Sequence, residues 1–197
     1  MQIILLSGGS GKRLWPLSNN TRSKQFIKLL TAPDNSKESM VQRVVRQLRE
    51  AGIRDSITVA TSQLQRDVII NQLGDGIPVV TEPERRDTFP AIALASSYLA
   101  YERKCPADEV VIVMPCDPYT EAGYFETIRR MADAVKNDAA ELVLMGIEPT
   151  YPSAKYGYVI PVPVNDGAGI YRVSRFTEKP DVPTAMEDFA PKDSGMK

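Results

Sequence analysis

Apolar residues along this chain fall into short continuous runs that alternate with helically spaced sets, and the alternation predicts the architecture. Residues 3–6 read as a buried strand. Met40, Val41, Val44, Val45 and Leu48 then give helical spacing, with Gly52 as a C-terminal cap. A strand over 57–60, a helix over roughly 64–73 and a strand over 79–81 follow. After the charged loop 82–86, Asp87 is placed to cap an apolar helix from Thr88 to about Arg103, with Pro90 tolerated in its first turn. The strongest run, residues 110–114, suits a central strand of a parallel sheet covered on both faces. Phe125, Ile128, Met131, Ala132 and Val135 space another helix, and residues 141–147 are expected to form a fifth strand.

Strands alternating with helices predict a Rossmann-like, doubly wound, mostly parallel α/β sheet over residues 1–147. From residue 148 onward prolines recur between Pro149 and Pro191, and only short extended pieces stand out, at 156–161 and 169–177. An antiparallel or irregular appendage is expected there, completing a single domain over 1–197.

Composition narrows the chemistry. The 197 residues carry 24 basic and 25 acidic side chains, a balance that argues against nucleic-acid wrapping or membrane adhesion through bulk charge. No apolar run approaches membrane-span length and no charged leader precedes the first strand, so a cytoplasmic location is expected. There is no histidine, and the two cysteines, Cys105 and Cys116, lack metal-like spacing. Mechanisms built on an imidazole base are thereby disfavoured.

The segment Ser7-Gly-Gly-Ser-Gly-Lys-Arg13 directly follows the first strand. Its glycines let backbone N–H groups approach anionic oxygens, and Lys12 and Arg13 supply charge. It reads equally as a glycine-rich turn with two solvated cations. The P-loop pattern fails, because Leu6 and Arg13 stand where a glycine and a Ser or Thr are needed. The dinucleotide fingerprint fails too, with Leu14 in place of its third glycine and Trp15-Pro16 where a helix should open. Open α/β sheets bind ligands beyond the carboxyl ends of their strands. That places the glycine loop, the 82–86 loop and Asp117 on one face. Asp117 before Pro118 reads either as a turn residue or as a magnesium ligand, since magnesium takes only one or two protein carboxylates. Glycine loop, cations and a carboxylate without imidazole point to phosphoryl or nucleotidyl transfer. An acceptor that is itself a phosphate needs no general base.

Several motifs occur in a telling order: 7–18 (SGGSGKRLWPLS), 23–26 (SKQF), 84–93 (ERRDTFPAIA), 115–117 (PCD), 156–158 (YGY) and 176–180 (FTEKP). Together they resemble the sugar-phosphate nucleotidyltransferases, and among them the branch that transfers a guanylyl group to mannose 1-phosphate. The resemblance implies the nucleotide-diphospho-sugar transferase fold, magnesium as cofactor, and a nucleoside triphosphate and a sugar 1-phosphate as partners, with homo-oligomers allowed. It also implies roles. Ser7, Gly8, Gly9, Gly11 and Lys12 would cradle the triphosphate, Arg13 would neutralise the departing pyrophosphate and Lys24 would hold the phosphates. Glu84, Arg85 and Thr88 would lie beside the base, Asp117 would bind magnesium, and Gly157, Glu178 and Lys179 would contact the sugar phosphate. The family has Ser and His around the metal aspartate where this chain has Cys116 and Pro118. It also continues beyond the Glu-Lys-Pro motif, so this chain is expected to be the front portion of a longer enzyme or a truncated homologue. Another base or acceptor, or nucleotide binding with little turnover, remains open on these residues.

Overall fold

The computed structural model describes residues 1–9, 14–19, 23–53, 56–162 and 169–189. Two compact units divide the chain, Met1–Val143 and Leu144–Lys197.

In the first unit, β1 (Gln2–Leu6), β4 (Ile57–Ser62), β5 (Val79–Glu82) and β6 (Val111–Pro115) form one parallel sheet in the order β5-β4-β1-β6. A minor antiparallel pair, β2 (Leu30–Thr31) with β3 (Lys37–Glu38), precedes α1. The helices are α1 (Met40–Glu50), α2 (Arg66–Leu73), α3 (Thr88–Tyr101) and α4 (Ala122–Lys136). Ser39 starts α1 with a reciprocal capping box to Gln42, which satisfies two backbone donors at once. The helix ends at Ala51, and Gly52 follows with φ 81°, a conformation that glycine adopts without strain.

Burial explains the order. Ile3, Ile4 and Leu5 are wholly inaccessible, so β1 is covered on both faces and sits inside the sheet. On one side, Ile4 and Ala60 pack with Ala95 and Leu99 of α3. After β1, the chain builds outward through β4 and β5, and α3 then carries it back to β6 beside β1. The strand order therefore reverses between β1 and β6, the position at which such sheets open a ligand crevice.

Three expectations are corrected. The strand at 110–114 is not central: β6 ends the sheet, with Ile112 and Met114 buried but Val111 and Val113 over a third exposed. The helix packed against β1, β4 and β5 is α3, whereas α4 packs on β6, and among the described residues of the first unit no helix covers the face that bears Val111 and Val113. Residues 141–147 form no strand, and Leu142, Leu144 and Ile147 are exposed. Asp87 does precede α3, but with φ 70° and no side-chain hydrogen bond to the helix, so it is no cap. Its backbone is out of reach of the geometry that side-chain capping needs.

In the second unit, β7 (Gly157–Val162) and β8 (Arg172–Glu178) pair antiparallel, and α5 (Val182–Phe189) packs on β7. The register shifts between Ile160 and Pro161, where proline has no N–H to give the ladder. A Cβ on Gly157 would meet Glu178 Oε2 at 2.7 Å and Phe176 Cζ at 2.8 Å, so the hairpin closes tightly over this glycine.

Ile4 supports β1 from a site with no exposed surface. Ile4→Ala should therefore lower unfolding stability by about 2–5 kcal/mol, the cost of an unfilled core cavity, measured from denaturant midpoints at constant slope.

Candidate active site

The four parallel strands lose their apolar character at one level. Leu6 pairs with Ala60 and Pro115, and the next positions are Ser7, Thr61 and Cys116, followed by Gly8, Ser62 and Asp117. The ladder runs on through the Ser7 amide to the Ala60 carbonyl at 2.8 Å and the Cys116 amide to the Leu6 carbonyl at 3.3 Å. Above this polar rung lies a cavity of about 490 Å³ lined by Ser7, Gly8, Gly9, Lys24, Glu82, Arg85, Asp87, Thr88 and Asp117, among others. Of the residues expected in the nucleotide site, it therefore gathers Ser7, Gly8, Gly9, Lys24, Arg85, Thr88 and Asp117. Glu84 is not in the wall; it is exposed and paired with Arg86 at 2.8 Å. Gly11, Lys12 and Arg13 lie outside the described residues. In the second unit, Glu178 and Lys179 pair at 2.9 Å on the surface.

Lys24 and Asp117 face each other across the β1/β6 reversal, with Nζ 2.5 Å from Oδ2. Lys24 opens a short 3-10 turn over Lys24–Phe26 that is anchored by buried Gln25 and Phe26. Gln25 donates from Nε2 to the Ser7 carbonyl at 3.1 Å, and Gln72 of α2 donates to the Phe26 carbonyl at 2.8 Å. Asp117 is held from the other side by α1. Arg43 donates to the Pro118 carbonyl at 2.7 Å, and Gln47 to the Thr120 carbonyl at 3.0 Å. Neither charge rests on a freely swinging loop.

Glu82 was not singled out by the sequence. It ends β5 almost wholly buried, its Oε1 has no hydrogen-bond partner, and its Oε2 would lie 3.7 Å from a Cβ on Gly8. Burial holds its carboxyl above the usual 4.5, with the Arg85 charge opposing the rise. The signal was present as a glutamate closing the apolar run Val79-Val80-Thr81. Gln65, also missed, sits beneath the glycine loop with no exposed surface. Burial also pushes the Cys116 thiol up to about 11, which leaves it protonated and a poor metal ligand.

Among the described residues no group of three or more Cys, Asp or Glu side chains could hold a metal ion. Asp117 alone fits a magnesium site of the kind that takes one protein carboxylate and fills its remaining shell with water and ligand phosphates.

A glycine backbone, a lysine and a carboxylate at the switch point of a parallel sheet place the chain among the open α/β proteins that hold a ligand beyond the carboxyl ends of their strands. The nucleotidyl transferase family pattern matches residues 2–193, and the chain belongs to that family. It is 32% identical to an Escherichia coli mannose-1-phosphate guanylyltransferase over 96% of this chain and 41% of that protein. It is 36% identical to the xanthan biosynthesis protein XanB of Xanthomonas campestris pv. campestris over 93% of this chain and 38% of that protein. The chain thus spans about two fifths of the length of these relatives. Among solved structures, that of "mannose-1-phosphate geranyltransferase" from Thermus thermophilus superposes with TM-score 0.77 at 29% identity, over 95% of this chain and 52% of that one. An Acinetobacter baumannii UDP-glucose pyrophosphorylase, at 17% identity and TM-score 0.63, shares the fold.

The raised Glu82 carboxyl sets a pH dependence. A carboxyl whose folded value lies above its unfolded one contributes stability in full below about 4.5 and loses it as pH rises through the folded value. Glu82→Gln removes that titration. Comparing unfolding midpoints from pH 4 to pH 8 should show the difference moving in the variant's favour as pH rises.

Proposed function

We propose that this chain forms the nucleotide-binding part of a transferase that joins GTP to mannose 1-phosphate, giving GDP-mannose and pyrophosphate. The observation that carries the reading is the mixed chemistry of the cavity wall. Open glycine backbone and Lys24 suit phosphate, and Asp117, paired with Lys24, could face it through a metal ion. The carboxylate of Glu82 has no cation paired to it among the described residues and repels phosphate, so Glu82 calls for a different part of the ligand. A buried acceptor without a partner is satisfied by N–H donors. Guanine offers two adjacent ones, N1–H and the N2 amine, matching the two oxygens of a carboxylate. The guanylyltransferase relatives support the same base.

An oxygen of the sugar phosphate attacks the α-phosphorus of GTP in line, and pyrophosphate leaves. The nucleophile is already anionic, so the protein needs no base, and its work is alignment and charge neutralisation. Gly8 and Gly9 bring backbone close to the phosphates and Lys24 neutralises them. Arg13 meets the charge growing on pyrophosphate. Arg85 and Thr88 flank the nucleoside, and Gly157, Glu178 and Lys179 contact the sugar phosphate. Asp117 would hold magnesium, which supplies further charge neutralisation on the phosphates. No described helix is long and apolar enough to cross a membrane, and we place the reaction in the cytoplasm.

Mixing the protein with GTP, mannose 1-phosphate and magnesium should release pyrophosphate, followed with a coupled pyrophosphatase. ITP, which lacks the N2 amine, should be a markedly poorer donor than GTP. Tight GTP binding with no release from any sugar 1-phosphate would reduce the function to binding. Lys24→Ala should lower turnover about a hundredfold or more, the usual loss for one preorganised charge-stabilising donor.

A further inference from the structure

Gln65 closes a 3-10 turn, Gln63–Gln65, between β4 and α2, and its side chain is completely buried. A primary amide in such a position must place two donors and an acceptor oxygen, or leave costly unpaired groups. Gln65 places them on four partners. Nε2 donates to the Ser7 carbonyl at 2.8 Å and to Thr61 Oγ1 at 3.1 Å, while Oε1 accepts from Ser23 Oγ at 2.6 Å and Arg85 Nη2 at 3.0 Å. Turned over, the amide would still meet the Thr61 and Ser23 hydroxyls and the Gly9 carbonyl, but it would aim its oxygen at the Ser7 carbonyl and its nitrogen at the Arg85 guanidinium, so the hydrogen-bond network assigns the first orientation.

The partners come from separate parts of the chain, and each stands at the cavity or next to a residue that does. Ser7 precedes Gly8, Ser23 precedes Lys24, and Arg85 is itself in the wall. The Ser23 hydroxyl lies between Gln65 Oε1 at 2.6 Å and the Gly9 carbonyl at 2.9 Å and has one proton to share between these two acceptors, which keeps the lysine segment beside the glycine loop. The C=O and N–H of a trans peptide point in opposite directions. Drawing the Ser7 carbonyl toward Gln65 and Gln25 therefore turns the Gly8 N–H away from the network, free for a ligand. Few side chains can do this. A carboxylate would pair with Arg85 but repel the Ser7 carbonyl, and a thioether would hold neither.

We propose that Gln65 is the positioning residue that brings the glycine loop and the Lys24 segment into alignment for the triphosphate and Arg85 into place beside its nucleoside. It touches no substrate and acts through Ser7, Ser23 and Arg85. The inference rests on the triphosphate reading above.

The test uses Gln65→Met, which keeps the shape and removes every polar partner, and Gln65→Glu, which keeps the size and reverses the donors; Gln65→Glu decides if Gln65→Met does not fold. Binding of a fluorescent GTP analogue and steady-state turnover are measured on folded protein verified by circular dichroism. Displacing aligned groups by a fraction of an ångström weakens their joint action steeply, so triphosphate affinity and kcat should each fall about tenfold or more. The KM for the sugar phosphate should stay within about twofold. Because Gln65 acts partly through Arg85, Gln65→Met combined with Arg85→Ala should lose less than the product of the two single effects. Triphosphate affinity and kcat within twofold of the parent, equal losses toward both substrates, or multiplying effects with Arg85→Ala would each overturn the proposal while leaving the function intact. A parent protein that binds no nucleoside triphosphate would overturn both.

Discussion

Backbone pairing in the parallel sheet fixes the height at which every strand of the first unit ends, and the chemistry above depends on that common height. Because Leu6 is in register with both Ala60 and Pro115, the positions that follow them emerge side by side. Those positions are small or polar: Ser7, Thr61, Cys116, then Gly8, Ser62 and Asp117. Larger apolar residues at this level would close the crevice that the reversal between β1 and β6 opens.

From that rung upward the site is supported by uncharged groups rather than by charge against charge. The side chains of Ser23, Gln25, Thr61 and Gln65 are all buried and hydrogen-bonded among themselves or to backbone carbonyls, that of Ser7 foremost. Amide and hydroxyl groups of this kind hold loops without adding net charge to the cavity. The charged pair, Lys24 with Asp117, is kept at the mouth, where it remains partly hydrated. Glu82 is the charged exception, a buried carboxyl whose Oε1 has no hydrogen-bond partner.

Much of this was legible in the sequence. Strands β1, β4 and β5 and helix α1 are marked by periodicity and by Gly52, because their partners on both sides agree with their local pattern. The place of β6 was not legible. An apolar run says that a strand can be buried on both faces, whereas which helices lie over it is decided by chain segments far away. The same holds for residues 141–147, whose apolar side chains satisfy a strand pattern but are paired with no other strand. At the site, glycines, Lys24, Arg85 and Asp117 stood out because their chemistry is recognisable at once. Gln65 carries no such mark. Its importance comes from four partners scattered from Ser7 to Arg85, and only the fold brings them together.

The loop between β5 and α3 separates what lines the cavity from what holds the fold together. Its residues 83–87 are all exposed, and none contributes to the core between sheet and helix. Its guanidinium tether to Gln65 and Ser62 reaches inward from Arg85, yet the strand and helix on either side are seated independently by Val80 and by Ala91 and Ala95. Apart from Arg85, substitutions in this loop change the cavity wall at little expense to folding. The strand ends beneath it, tied into the buried network, are constrained by folding as well as by the shape of the cavity.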